Sequence, residues 1–279
     1  MLCGVPTRPE ESTIPTARVD GVDLAYELTG TGPRVLFCSG SGATLEGARP
    51  LVSAVGRGVA LLAYDQRGIG ASAPAPGPYD MARLAADALE LLDAVGWDTA
   101  ILVGVSFGGM VAQEVAVTAP GRVERLALLC TSAGGAGGSS YPLHELEALA
   151  PDERTAARAR LLDERFDGPW IEDHPADRAL VDYLTATEPD GDPSVVVGRR
   201  AQLDARRGHD VWDRLPAVAC PTFVACGRYD PIAPVANAEA IAARIPGAEL
   251  RVYDGGHAFF VQDRSALPDL HAFLTGTRS

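Results

Sequence analysis

The chain has 279 residues, 47% of them hydrophobic and 22% charged, which supports a real core and excludes a disordered or fibrous chain. Thirty-seven acidic residues against 24 basic ones leave a net charge of −13, the wrong sign for a nucleic-acid reader or for an anionic membrane surface. Every basic residue is arginine, so no lysine is available as a Schiff-base nucleophile or phosphate-loop cation.

In chain order, Ala17 to Val22 and Asp23 to Leu28, joined around Gly21, read as an antiparallel hairpin. Near-continuous apolar runs follow at Arg34 to Cys38, Val59 to Ala63, Ala100 to Val105, Arg125 to Cys130 and Thr222 to Cys226. Such runs suit strands buried on both faces, as in a parallel sheet. Between them, Ala82 to Val95, Phe107 to Ala119 and Val235 to Arg244 have helical length and period, and Pro120-Gly121 and Pro246-Gly247 stop two of them. Alternating strands and helices imply an α/β fold with helices on both faces of the sheet.

That alternation fails between about Gly134 and Leu215. The stretch opens on the glycine-rich GGAGGSS and continues with amphipathic segments. Asp152 to Phe166 places Ala157, Leu161, Leu162 and Phe166 at helical spacing, and Asp177 to Thr187 does the same with Leu180, Val181 and Leu184. Asp192-Pro193 reads as a capped helix start. The expected division is a core over 1–135, a helical cap over 136–215, and the rest of the core over 216–279.

Cys3, Cys38, Cys130, Cys220 and Cys226 are scattered, with no C-x-x-C pair, and read as small buried hydrophobes of a reduced compartment. The opening MLCGVPTRPEEST lacks a basic start followed by an apolar stretch, so no secretory signal is expected. No run approaches the ~18 apolar residues that span a bilayer. A cytoplasmic protein is the expectation.

Chemistry enters at Gly104-Val105-Ser106-Phe107-Gly108, which follows a strand and opens a helix. A serine on so tight a turn projects its hydroxyl above the sheet, and the close approach of neighbouring chain demands glycine two residues before and after. The helix start also aims free amides, led by that of Phe107, at a developing anion. Such a serine needs a base, and the base needs an orienting carboxylate. Of five histidines, His257 lies in a glycine loop, Asp254-Gly255-Gly256-His257, just after a late strand at Glu249 to Tyr253. Asp230, in Gly227-Arg228-Tyr229-Asp230-Pro231, follows another strand. The order Ser106, Asp230, His257 at successive strand ends defines a candidate triad.

On these motifs the sequence resembles the α/β-hydrolase fold superfamily over nearly its full length, most closely the branch of lactonases, esterases and cofactor-free haloperoxidases. Asp65-Gln66-Arg67-Gly68-Ile69-Gly70-Ala71-Ser72 is similar to that superfamily's D-x-R-G-x-G-x-S loop, and the P-T-x-V-x-x-G-x-x-D run around Asp230 matches as well. The resemblance implies an eight-stranded, mostly parallel sheet, a helical cap after the sixth strand and an acyl-enzyme on Ser106. Many relatives carry His-Gly after the third strand, where this chain has Cys38-Ser39-Gly40-Ser41-Gly42. The backbone amide of Ser41 is then the expected second oxyanion donor beside Phe107, and Ser39 in the histidine place alters the loop's support.

Other residues carry plainer readings. Asp65 and Arg67 read as a structural loop pairing, and His209-Asp210 as packing or hinge residues. Arg199, Arg200, Arg206 and Arg207 could receive a substrate carboxylate, yet Arg200–Asp204 and Arg206–Asp210 fit ion-paired i,i+4 spacing on a solvated face. Trp170, Tyr183 and Trp212 suit either pocket lining or cap core. His144, His174 and His271 show no metal-binding spacing, and neither a metal nor a cofactor is expected.

The expected function is hydrolysis of a small ester or lactone, with no nucleic-acid or membrane partner and an oligomeric state that the sequence leaves open. The alternatives are perhydrolase or haloperoxidase activity, carbon–carbon bond hydrolysis or natural-product cyclisation by the same residues, or a ligand receptor on a hydrolase scaffold. Haloalkane dehalogenation is disfavoured because its nucleophile is an aspartate.

Overall fold

A computed structural model describes residues 14–75, 77–186 and 193–277. The opening segment with Cys3, and the helix cap read at Asp192, lie outside the described residues. Eight strands form one sheet: β1 (Thr16–Val19), β2 (Val22–Thr29), β3 (Arg34–Cys38), β4 (Ala60–Tyr64), β5 (Ala100–Val105), β6 (Val123–Leu129), β7 (Thr222–Gly227) and β8 (Glu249–Tyr253). Their spatial order is β1-β2-β4-β3-β5-β6-β7-β8, antiparallel where β2 meets β1 and β4 and parallel elsewhere. This is the eight-stranded, mostly parallel sheet that the resemblance implies.

The hairpin turns one residue earlier than its apolar pattern suggested. Asp20 and Gly21 both have positive φ, 41° and 75°, the geometry of a tight two-residue turn, so Val22 pairs back onto Val19 and belongs to the second strand. β6 likewise stops before Cys130, whose φ of 46° breaks the strand.

Helices cover both faces. On one, α1 (Leu45–Val55) and the C-terminal α10 (Ala266–Thr275) pack with Phe37, Leu61 and Val103. On the other lie α2 (Met81–Ala94), α3 (Phe107–Thr118) and α8 (Val235–Arg244), packed with Leu36, Leu102 and Leu128. α1 and α10 escaped the periodicity reading. Gly47 and Pro50 disguise α1, which is held instead at its N-terminus: the Thr44 hydroxyl caps the Gly47 amide, and Asp65 accepts from the Leu45 amide at 2.6 Å.

Between β6 and β7 the chain forms α4 (Pro151–Leu162), α5 (Gly168–Asp173), α6 (Pro175–Ala186) and α7 (Pro193–Arg207). The helix read through Phe166 ends at Leu162. Asp163 leaves it because its carboxylate takes the amide and the guanidinium of Arg165 at 2.6 to 3.0 Å, a better outlet for a wholly buried carboxylate than a helix interior offers. A further short helix, α9 (Phe259–Gln262), lies between β8 and α10. None of the described helices is long and apolar enough to cross a membrane.

Candidate active site

Ser106 sits between β5 and α3 with φ 55° and ψ −115°, a conformation a non-glycine residue adopts only under constraint. The surroundings supply it. The Ser106 amide donates to the Leu129 carbonyl at 2.8 Å, and the Ser106 carbonyl accepts from the Thr131 hydroxyl at 2.8 Å and the Gly109 amide at 2.9 Å. A Cβ at Gly104 would collide with the Gly108 carbonyl, and one at Gly108 with the Cys38 carbonyl of β3. A Cβ at Gly109 would lie 2.6 Å from that of Thr131. The glycine requirement read from the motif is thus a backbone-clearance requirement.

The three residues singled out from the sequence converge at the C-terminal edge of the sheet. The Ser106 hydroxyl donates to His257 Nε2 at 3.0 Å, and His257 Nδ1–H donates to Asp230 Oδ2 at 2.7 Å. Asp230 is buried, and its other oxygen accepts from the Ile232 and Ala233 amides at 2.8 and 2.9 Å. Three donors on one carboxylate fix its orientation, and the Nδ1–H donated to it selects the imidazole tautomer that leaves Nε2 as an acceptor.

The His257 loop is clamped from the helical segment. Its own amide donates to the Leu162 carbonyl at 2.6 Å, and Gly256 leaves no room for a side chain against Asp163. Gln262 accepts from the Gly256 amide at 2.8 Å and donates to Asp163 at 3.0 Å. Asp163, Arg165 and Gln262 escaped the motif reading, since only the fold brings these residues beside His257.

The loop from Ser39 to Gly42 lines the same cavity as Ser106, and a Cβ at Gly40 would lie 3.7 Å from that of Ser106. The Ser41 amide has no acceptor among the described residues, and the amide of Phe107, first in α3, has no partner inside its helix. Support for this loop comes from two glutamines that sequence reasoning missed. Gln66 donates to the Ser39 carbonyl at 2.9 Å, Gln202 of α7 accepts from the Gly42 amide at 2.8 Å, and the two side chains meet at 3.2 Å. Gln66 lies inside the Asp65–Ser72 motif and could have been suspected. Gln202 carries no local signal.

Ser106 and His257 open into a cavity of about 870 Å³. Leu146, Leu161, Leu180 and Leu203 line it from the helical segment, and Leu51 and Ile232 from the sheet side. Trp170, Tyr183 and Arg199 line it too, whereas Trp212 packs elsewhere, against Gly137 and the Arg244 guanidinium.

Several plainer readings need correction. Asp65 and Arg67 do not pair with each other. Arg67 grips the buried Asp87 of α2 with two hydrogen bonds of 2.5 Å, and Asp65 takes the amides of Leu45 and Ala71. The Arg200–Asp204 and Arg206–Asp210 pairs do not form: Asp204 meets Arg207 at 3.9 Å, and Arg206 is buried because α7 turns that face inward. His209 is a packing residue, its Nε2 donating to the Ser132 carbonyl at 3.2 Å.

Burial pushes the Cys38 and Cys226 thiols up to about 12 and Cys130 well above its ordinary value. Ligand atoms of Cys130, Asp230 and His257 lie within 4.8 Å of one another. Cys130 is held as a thiol and the other two are hydrogen-bonded together, so this trio is poorly suited to a metal.

The profile of the alpha/beta hydrolase fold family matches residues 33–263. A putative carbamate hydrolase RutD of Variovorax paradoxus is 32% identical over 251 residues, covering 86% of this chain and 91% of that protein. A poly(3-hydroxyalkanoate) depolymerase of Ectopseudomonas oleovorans is 29% identical over 248 residues, covering 88% and 85%. Among solved structures, a hydrolase from Pseudomonas aeruginosa PA01 superposes with a TM-score of 0.75 at 31% identity, over 96% of this chain and all of that one. A match across most of the chain, on a sheet of this order, means that the chain belongs to the alpha/beta hydrolase fold family.

Proposed function

We propose that the protein is a serine hydrolase of small carboxylic esters or lactones, working through an acyl-enzyme on Ser106. The observation that carries this reading is the unbroken hydrogen-bond path from Ser106 through His257 to the buried Asp230, opening into a mostly apolar cavity. His257 Nε2 takes the Ser106 proton as the oxygen attacks the carbonyl, and Asp230 steadies the imidazolium. The amides of Phe107 and Ser41 receive the oxyanion, where one donor is typically worth about 10²–10³ in rate. His257 then returns the proton to the leaving alcohol. A water, deprotonated by the same nitrogen, releases the acid.

Residues 136–215 act as a cap over the core formed by the flanking segments, supplying a leucine-rich wall for an apolar acyl group. A relative named poly(3-hydroxyalkanoate) depolymerase supports hydrolytic chemistry of this kind. The decisive experiment pairs a fluorophosphonate probe with a panel of esters, lactones and peracids. Labelling confined to Ser106 and turnover of esters or lactones abolished in Ser106→Ala are expected. An unlabelled Ser106 in folded protein, or tight stoichiometric binding without turnover, would overturn the reading.

A further inference from the structure

Beside Met110 of α3 lies a second cavity of about 260 Å³ that shares no lining residue with the larger one. Its walls come from Met110, from the loop that carries Ser132 and Ser140, from His144, from Arg206 and Arg207 in the last turn of α7, and from His209 just beyond it. In a chain with 37 acidic residues, no carboxylate among the described residues lines this space.

Arg206 is 8% exposed, and its Nε and Nη2 have no hydrogen-bond partner. A buried guanidinium without a counter-charge is strongly unfavourable, and it is retained where something else neutralises it. The neighbouring Arg214 shows the ordinary solution, gripping Glu114 at 2.6 and 2.7 Å. Arg206 has none.

His209 adds a directional requirement. Its Nε2 carries the proton given to the Ser132 carbonyl, which leaves Nδ1 as a buried lone pair with no donor. Burial lowers His209 to about 4 and leaves Arg206 at about 10, so near neutrality the pair offers one cation and one acceptor. Sulfate would satisfy the first and meet the second with a bare oxygen. An oxyanion with its own O–H satisfies both.

We propose that this cavity is a binding site for a small oxyanion bearing a hydroxyl, as hydrogen phosphate does, with its charge on Arg206 and its O–H donated to His209 Nδ1. The site is independent of the chemistry assigned to Ser106. Titration calorimetry of the full chain at pH 8, in buffer free of other oxyanions, compares inorganic phosphate with sulfate. Saturable binding of one phosphate per chain is expected, with sulfate at least tenfold weaker. Arg206→Met should weaken phosphate at least tenfold. Should that variant fail to fold, Ser140→Phe, whose ring takes up much of the cavity without removing charge, should have the same effect. No saturable phosphate binding to folded wild type, undiminished binding in whichever of the two variants folds, or sulfate binding as tight as phosphate would each overturn the assignment.

Discussion

Gln202 accepts the amide proton of Gly42 at 2.8 Å, joining α7 to the loop beside Ser106. Gln66, which touches Gln202 at 3.2 Å, braces the same loop from below through the Ser39 carbonyl. Because the two hold a backbone whose Ser41 amide is the proposed oxyanion donor, Gln202→Ala should lower kcat about tenfold, equivalent to about 1.4 kcal/mol of transition-state stabilisation, with KM little changed. Steady-state kinetics on a chromogenic ester measure this. A rise in KM alone would mean that Gln202 shapes the acyl pocket and not the oxyanion loop.

Removing the hydroxyl of Ser106 or the imidazole of His257 should cost at least ~10⁴ in kcat, and Asp230→Asn should cost a comparable factor through the wrong imidazole tautomer. The double variant Ser106→Ala/His257→Ala should be hardly slower than either single one, since the residues act as a unit. Additive losses would show that they do not share one proton path.

Gly109 faces Thr131, and an added Cβ would lie 2.6 Å from that of the threonine. Gly109→Ala should therefore destabilise the protein by about 1–3 kcal/mol, as overpacking does. Thr131→Ala in the same chain should recover part of that loss, although it also removes the hydroxyl that holds the Ser106 carbonyl. Denaturant unfolding of the two single variants and the double one gives the coupling energy.

Asp87 is a buried acceptor for Arg67 and also meets Arg83 at 3.0 Å. Asp87→Ala strands Arg67 in the interior and should cost about 3–5 kcal/mol. The double variant Asp87→Leu/Arg67→Met, which removes both charges, should be markedly more stable than Asp87→Ala. Equal stabilities would show that Arg67 finds another counter-charge, with Asp20 at 3.8 Å the nearest acid.

His209 sets a pH signature. Its value falls from 6.5 in the unfolded chain to about 4 in the folded one, because burial penalises the charged ring. Between these values the unfolded state binds more protons, so this contribution is complete above about pH 6.5 and disappears as the pH falls through 4. Its size is about 3 kcal/mol at most. In phosphate-free buffers, the stability of His209→Gln should fall less steeply than that of wild type between pH 6.5 and 4. Parallel curves would show that the ring charges without cost.

The sequence by itself determined the parts of this protein whose causes are local. Near-continuous apolar runs mark the central parallel strands because burial on both faces leaves no polar alternation, and β3 and β5 coincide with their runs. Ser106 was legible because a strand, a tight turn and a helix start constrain five consecutive residues, and Asp230 and His257 because they stand directly after strands. What only the tertiary structure decided are relationships between residues distant in sequence. α1 depends on a capping carboxylate twenty residues away, the inward turn of Arg206 depends on how α7 seats against the core, and the Gln202–Gly42 bond spans 160 residues. The physical reason is shared: a buried polar group must find its partner wherever the fold brings one, and sequence spacing carries no trace of that search.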